Sequence, residues 1–286
     1  MEIVRAPKYG GFCGGVKQAW SLALEARAAH EGPIYVTGEL IHNKAAMAEL
    51  QGQGVQIAHP LEQPLPRGAT VLVRAHGEGP RVYAAAREQG LNLVDASCWI
   101  VRRVQQRAVE WEREGYQVIL FGHRDHPESR ATISYTKHGQ IIESVAEAEA
   151  LPHYPRIAAL AQTTVLLSEY EKVCAVLATK CDEFENKGQI CAWTRLAQEE
   201  AAEIARTVDA MVVVGGKHSS NTQQLAKVCG AICPTYHIET VDELEPAWFD
   251  GVARVGLTAG ASTRDADVDA VAARLASLGP AGAASE

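Results

Sequence analysis

The chain has 286 residues, of which 47% are hydrophobic and 22% charged, and its formal net charge is −8. That is enough chain and enough apolar content for one large domain or two or three smaller ones with a substantial core. The acidic balance argues against general nucleic-acid affinity, which needs a basic face for phosphates, and no apolar run approaches the ~20 residues that span a bilayer.

The first element is a short β-type run, residues 2–6, which leads into Gly10-Gly11-Phe12-Cys13-Gly14-Gly15-Val16. No charged segment followed by an apolar one precedes it, so no signal peptide is expected. The seven cysteines (13, 98, 174, 181, 191, 229 and 233) are therefore expected as thiols, ligands or catalytic groups in a cytoplasmic protein, not as disulfides. Residues 16–30 carry a helical pattern that Gly32-Pro33 ends. A strand at 34–36 runs out to His42-Asn43, and a helix at 44–51 follows. A strand at 69–73 then leads to Arg74-Ala75-His76-Gly77.

The second third repeats the plan. Residues 91–95 lead to Cys98, which opens a helix over 101–113 stopped at Gly115. A strand at 117–121 runs to His126-Pro127-Glu128, and another at 157–160 to Gln162-Thr163-Thr164. In the last third, Gln189-Ile190 leads to Cys191, followed by a helix over 197–207 and a strand over 210–214. Gly215-Gly216 then precedes Ser219-Ser220-Asn221, a helical run starts at Thr222, and a strand at 253–257 ends in Thr258-Ala259-Gly260-Ala261-Ser262. The tail, residues 279–286, reads as frayed.

Cysteine, polar cluster and strand end recur at nearly equal intervals. We expect an α/β protein of three pseudo-threefold-related units (a trefoil), 1–97, 98–190 and 191–286, each with a small parallel sheet. Ligands in open α/β sheets lie beyond the carboxyl ends of strands, and all nine polar tips occupy that kind of position.

Cys13, Cys98 and Cys191 can coordinate zinc, an iron–sulfur cluster or nothing. None of them has the Cys-x2–4-Cys partner usual in structural zinc sites. Three thiolates suit a [4Fe–4S] cluster in which one iron lacks a protein ligand. Cys229-x3-Cys233, Cys174 and Cys181 read as core residues. His42, His76 and His126 are donors for an anion, and Ser219, Ser220, Asn221 and Ser262 add hydroxyl and amide groups. The helix start beside Ser219-Ser220-Asn221 favours phosphate, although those residues taken alone are also an ordinary helix cap. Glu128, buried in a closed site, would keep its proton and act as a general acid. Thr163 would pass a proton or hold a substrate hydroxyl.

Taken together, Gly11-Phe12-Cys13-Gly14-Gly15-Val16, His42-Asn43, Ala75-His76-Gly77, Asp95-Ala96-Ser97-Cys98 and His126-Pro127-Glu128 resemble the IspH (LytB) family of 4-hydroxy-3-methylbut-2-enyl diphosphate reductases. Gln162-Thr163-Thr164, Ile190-Cys191, Ser219-Ser220-Asn221-Thr222 and Thr258-Ala259-Gly260-Ala261-Ser262 continue the resemblance in family order. It implies a trefoil around a [4Fe–4S] cluster on Cys13, Cys98 and Cys191, with the substrate hydroxyl at the open iron. The diphosphate would be held by His42, His76, Ser219, Ser220, Asn221 and Ser262, with His126 also lining the pocket. Glu128 would supply protons, with Thr163 close to the hydroxyl. Two electrons and two protons would remove that hydroxyl as water and give isopentenyl and dimethylallyl diphosphate. The electrons would come from a ferredoxin or flavodoxin, since no flavin or nicotinamide motif is present.

The chain departs from the family at four positions: Trp99 and Arg264 stand where proline is usual, Ala131 where glycine is usual, and Gln18 where arginine is common. Trp99 and Arg264 motivate one rival reading, a paralogue acting on another small allylic or phosphorylated compound. A non-catalytic iron–sulfur sensor is a second, although a sensor would need neither Glu128 nor the anion-binding groups.

Overall fold

The computed structural model describes residues 1–186 and 190–278. The first third runs β1 (Glu2–Arg5), α1 (Gly14–Ala29), β2 (Ile34–Val36), α2 (Lys44–Gly52), β3 (Val55–Ile57), β4 (Thr70–Val73), α3 (Pro80–Glu88) and β5 (Asn92–Asp95). The second runs α4 (Trp99–Arg113), β6 (Gln117–Phe121), α5 (Pro127–Ile133), β7 (Gln140–Ile142), α6 (Val145–Ala150), β8 (Tyr154–Ala161), α7 (Leu167–Ala178) and β9 (Cys181–Asn186). The last runs α8 (Ala192–Ala205), β10 (Ala210–Val214), α9 (Ser220–Gly230), β11 (Thr235–Ile238), β12 (Arg254–Ala259) and α10 (Asp265–Leu278). The expected run at Gln189 and the tail from residue 279 lie outside the described residues; the strand before Cys191 is β9.

The strands form three four-stranded sheets, ordered β3-β2-β4-β5, β7-β6-β8-β9 and β11-β10-β12-β1, and every pairing among the described residues is parallel. Three small parallel sheets with helices between the strands are the fold class the sequence predicts. The order is the same each time: second, first, third, fourth in chain sense, provided β1 serves as fourth strand of the last sheet. This corrects the sequence reading at one point, because β1 does not pair within residues 1–97. It fills the edge of β12, with Glu2 opposite Arg254 and Arg5 opposite Leu257, and Met1 and Ile3 pack on the cluster containing Val255 and Leu257.

The inner strands are covered on both faces, which is why they read as unbroken apolar runs. In β10, Val212 and Val214 pack towards Val268, Val271 and Leu275 of α10, while Met211 and Val213 pack towards Ala197, Ala201 and Leu225 of α8 and α9. In β6, Ile119 and Phe121 meet Tyr170, Val173 and Leu177 of α7, and Val118 and Leu120 meet Val104, Ala108 and Trp111 of α4. Cys174 and Cys229 lie in these cores, as their bland reading required.

Within each sheet the first and third strands are neighbours, and the chain leaves them towards opposite sides. Such switch points are where ligands collect beyond the strand ends. The tips that follow first and third strands are His42 and His76, His126 and Thr163, and Ser219–Asn221 and Ser262. The tips that follow the fourth strands β5, β9 and β1 are Cys98, Cys191 and Cys13. The chain packs as two compact units: Met1–Gly14, His42–Ala46 and Ala192–Glu286 in one, Gly15–Ile41 and Met47–Cys191 in the other.

Candidate active site

In the unit that contains β6 and β8, the chemistry gathers around Glu128. After β6 the chain turns through Gly122 to His126, which caps α5: its Nδ1 accepts the Glu128 amide at 3.2 Å. Pro127 occupies the first helical position, where a missing N–H costs nothing. Glu128 is thereby turned inward and is only 3% exposed. Its Oε1 accepts the Thr163 amide at 2.6 Å and its Oε2 accepts the Thr163 hydroxyl at 2.8 Å. Burial lifts its pKa to about 7, against the pull of the two Thr163 hydrogen bonds. A carboxyl group poised near neutrality is suited to giving up a proton at physiological pH.

Gln162, fully buried, fixes this pairing. Its Oε1 accepts from the His123 amide at 2.9 Å and from Ser129 Oγ at 3.2 Å, while Nε2 donates to Thr164 Oγ1 at 2.7 Å. Gly122 must lack a side chain, because a Cβ there would lie 2.6 Å from the Gln162 Cβ. The sequence placed Gln162 in a motif but gave it no role. Its signal, a buried amide between two strand tips, is visible only in three dimensions.

Two of the expected metal ligands lie beside this acid. Cys98 stands at the cap of α4, half-buried. Burial pushes its thiol pKa up, the amides of Ile100 and Val101 pull it down, and the charges of Cys191 and Glu128 push it up again. The Cys191 amide donates to the Thr163 carbonyl at 3.2 Å. Gly15, in the first turn of α1, lies against Cys98, where a Cβ would come within 2.6 Å of the sulfur. His76, on the turn made by Gly77 (φ +75°), sets its ring perpendicular to that of His126 with centroids 5.4 Å apart. Cys98, Cys191, Glu128, Thr163, His126 and His76 thus share one unit.

The other unit collects Cys13, His42, Ser219, Ser220, Asn221 and Ser262. Cys13 is tied through its amide to the Ala261 carbonyl at 2.9 Å. Ser262 Oγ donates to the His42 carbonyl at 3.1 Å, and Asn43 Nδ2 donates to the Ser262 carbonyl at 2.8 Å. Asn43 Oδ1 also accepts the Ala46 amide at 2.9 Å, which caps α2. Ser219 caps α9 by accepting the Thr222 amide at 3.4 Å. Ser220 and Asn221 are 4% and 5% exposed, and neither amide atom of Asn221 has a partner among the described residues. Gly215 (φ +146°) and Gly260 are required by the close approach of the Thr222 side chain. His218, which the sequence reading passed over although it directly precedes Ser219, stacks edge-on to His42 with centroids 5.2 Å apart.

Two of the departures from the family pattern can be placed. Arg264 brings its own counter-ion, Asp267, at 2.7 Å. Trp99 projects outward, 55% exposed.

The fold and its strand tips define an α/β protein that carries thiols, a buried acid and a serine-capped helix start at those tips. The sequence matches the family described as LytB protein over residues 3–276, and the chain belongs to that family. It is 40% identical over 277 residues to the 4-hydroxy-3-methylbut-2-enyl diphosphate reductase of Geobacter sulfurreducens, covering 96% of this chain and 97% of that one. It is 38% identical to the enzyme of the same name from Aquifex aeolicus, covering 96% of each. A solved structure of (E)-4-hydroxy-3-methyl-but-2-enyl diphosphate reductase, described as the terminal enzyme of the non-mevalonate pathway, superposes with a TM-score of 0.71 at 36% identity, over 97% of this chain and 100% of that one. The Plasmodium falciparum E-1-hydroxy-2-methyl-but-2-enyl-4-diphosphate reductase superposes at 0.89 with 26% identity, over 94% of this chain and 86% of that one.

Proposed function

We propose that the chain reduces (E)-4-hydroxy-3-methylbut-2-enyl diphosphate to isopentenyl and dimethylallyl diphosphate, the closing step of the non-mevalonate route to isoprenoids. The observation that carries this reading is the buried Glu128, held by Thr163 with a pKa near 7, beside Cys98 and Cys191.

The donor set fits a [4Fe–4S] cluster: Cys13, Cys98 and Cys191 are half-buried thiols outside any disulfide, and Gly15 leaves the Cys98 sulfur uncrowded. Those three residues would hold it, with one iron left without a protein ligand. When bound, the cluster supplies low-potential electrons and a Lewis-acidic site for the departing hydroxyl.

The chain's own residues do the rest. Ser219, Ser220, Asn221 and Ser262 hold the diphosphate with His42 and His76, where the α9 helix start favours negative charge. Thr163 positions the substrate hydroxyl and orients Glu128, with His126 beside it, and Glu128 donates a proton. The balance per turnover is two electrons and two protons in, with one water and one five-carbon diphosphate out. Low-potential electrons come from a ferredoxin or flavodoxin. No helix among the described residues is long and apolar enough to cross a membrane, and a cytoplasmic location agrees with a water-soluble diphosphate substrate.

The test is an anaerobic assay of the iron-reconstituted protein with a chemical reductant and the diphosphate. The reading requires about four irons per chain, as the proposed cluster contains, together with both five-carbon products. Full iron content without product would overturn it.

A further inference from the structure

The strongest feature left unused lies at the start of α4. Cys98 caps that helix, and Trp99, the next residue, is more than half exposed. Large aromatic side chains are seldom left so open, and here the family pattern has proline. Helix α4 carries Arg102, Arg103, Arg107 and Arg113, with its carboxylates, Glu110 and Glu112, confined to its last turn, on a chain whose net charge is −8.

Trp99, Arg102 and Gln106 follow one another at three- and four-residue spacing, so they stand on one face of the helix, and all three are exposed. Arg103 flanks them, also exposed, with no acidic partner among the described residues. Two carboxylates border this face: Asp95, which accepts from the Tyr83 hydroxyl at 3.2 Å and lies 3.9 Å from Arg102, and Glu110, which accepts from Gln106 at 3.0 Å and pairs with Arg107 at 3.5 Å. A hollow of about 660 Å³ opens along the same face, walled by Tyr83, Arg87, Leu93, Arg102 and Gln106. Lys17 is exposed on α1, two residues after the Gly15 that abuts Cys98.

We propose that this face, centred on Trp99, Arg102 and Arg103, is the docking surface for a small acidic flavodoxin. This rests on the reading of the chain as an electron-accepting reductase with Cys98 as a cluster ligand. Three arguments support it. Electron transfer weakens steeply with distance, and no exposed surface is nearer to Cys98 in the chain than its own helix cap. A basic island on an acidic protein steers an acidic partner to one place, and Trp and Arg are the residue types that anchor such contacts. The bare indole offers an apolar face to the apolar edge of a flavin, and redox encounters need only a small area. Each turnover would consume two flavodoxin hydroquinones, oxidised to two semiquinones; the C–O bond breaks, one proton leaves with the hydroxyl as water, and the two electrons with the second proton form the new C–H bond.

The test uses the reconstituted holoenzyme and an FMN-loaded flavodoxin of low isoelectric point. Binding is measured by calorimetry with both proteins oxidised, and turnover is measured with flavodoxin hydroquinone and separately with reduced methyl viologen. In the Arg102→Glu/Arg103→Glu variant, Kd and the apparent KM for flavodoxin should rise together by roughly tenfold or more, and viologen-driven kcat should stay within about twofold. Trp99→Ala should raise Kd about threefold to tenfold. Salt at about 0.5 M should weaken wild-type binding and leave the double variant nearly unmoved. Should the charge reversal disturb folding, Arg102→Ala/Arg103→Ala, which favours the helix, gives the same comparison.

Unchanged Kd in these variants would overturn the surface. An acidic ferredoxin that binds there while flavodoxin does not would overturn the choice of partner. Absence of viologen-driven turnover in the wild type would instead count against the proposed reaction, and the binding measurements would still decide the surface.

Discussion

Two tips of the same topological kind have opposite internal economies. His126-Pro127-Glu128 follows β6 and Ser219-Ser220-Asn221 follows β10, each the first strand of its sheet and each opening a helix. At the first tip the key side chain is completed from within: both oxygens of Glu128 accept from Thr163. At the second, the buried amide of Asn221 finds no partner among the described residues. Leaving a polar group buried and unpaired costs on the order of 1–3 kcal/mol. A satisfied buried carboxyl group can store a proton, and an unsatisfied buried amide is a place for something else to bind. We therefore propose proton transfer at one tip and anion binding at the other.

Glu128→Gln should separate the two most sharply. It preserves shape but removes the proton, so kcat should fall by about 10²–10⁴ with KM for the diphosphate little changed. An unchanged kcat would end the assignment.

The same variant has a stability signature. Glu128 titrates near 7 in the folded chain and near the ordinary 4.5 unfolded, so between those values the folded state holds a proton the unfolded state lacks. The wild type must then lose stability at this group as pH rises from about 4.5 to about 7. The glutamine variant escapes that loss, so its melting temperature relative to wild type should climb across this window and level off above it. The total swing should be on the order of 3 kcal/mol. A pH-independent difference between the two melting curves would show that Glu128 is ionised when folded.

Asn221→Ala probes the other tip. Because no described group hydrogen-bonds the amide, its loss should not lower the melting temperature and should raise it if the unpaired group is costly, while KM for the diphosphate rises about 10- to 100-fold, the value of one hydrogen bond to a charged group. A fall in kcat at constant KM would place Asn221 with the proton chemistry instead. A smaller effect is expected for Thr163→Val, which removes the hydroxyl that pulls the Glu128 pKa down. The alkaline limb of the kcat profile should move to higher pH, with activity at neutrality reduced by roughly tenfold, one hydrogen bond's worth. Smallest of all, Ser144→Ala deletes the α6 cap, which accepts from Glu147. It should cost about 1 kcal/mol of stability and leave both kinetic constants alone, checking that the larger effects are local to the two tips.

Much of this was legible in the sequence, and the exceptions have physical causes. The inner strands β6, β8 and β10, covered on both faces, announce themselves as apolar runs. The edge strands do not: β9 reads Cys-Asp-Glu-Phe-Glu-Asn and β7 only Gln-Ile-Ile, because one side of an edge strand meets solvent and its pattern dissolves into ordinary polarity. The displacement of β1 into the last sheet could not be read either, since a repeat shows that units recur but not which strand closes which edge. The site followed the same rule. Residues with distinctive chemistry (the cysteines, His126-Pro127-Glu128, Ser219-Ser220-Asn221) stood out, whereas Gln162 and His218 act through neighbours brought near by folding and carry no local signal.

The most direct test of the account is anaerobic turnover of (E)-4-hydroxy-3-methylbut-2-enyl diphosphate by the iron-reconstituted chain with a chemical reductant, run beside Glu128→Gln at equal iron content. The account predicts isopentenyl and dimethylallyl diphosphate from the wild type and near silence from the variant. Equal product from both, or none from a fully iron-loaded wild type, would contradict it.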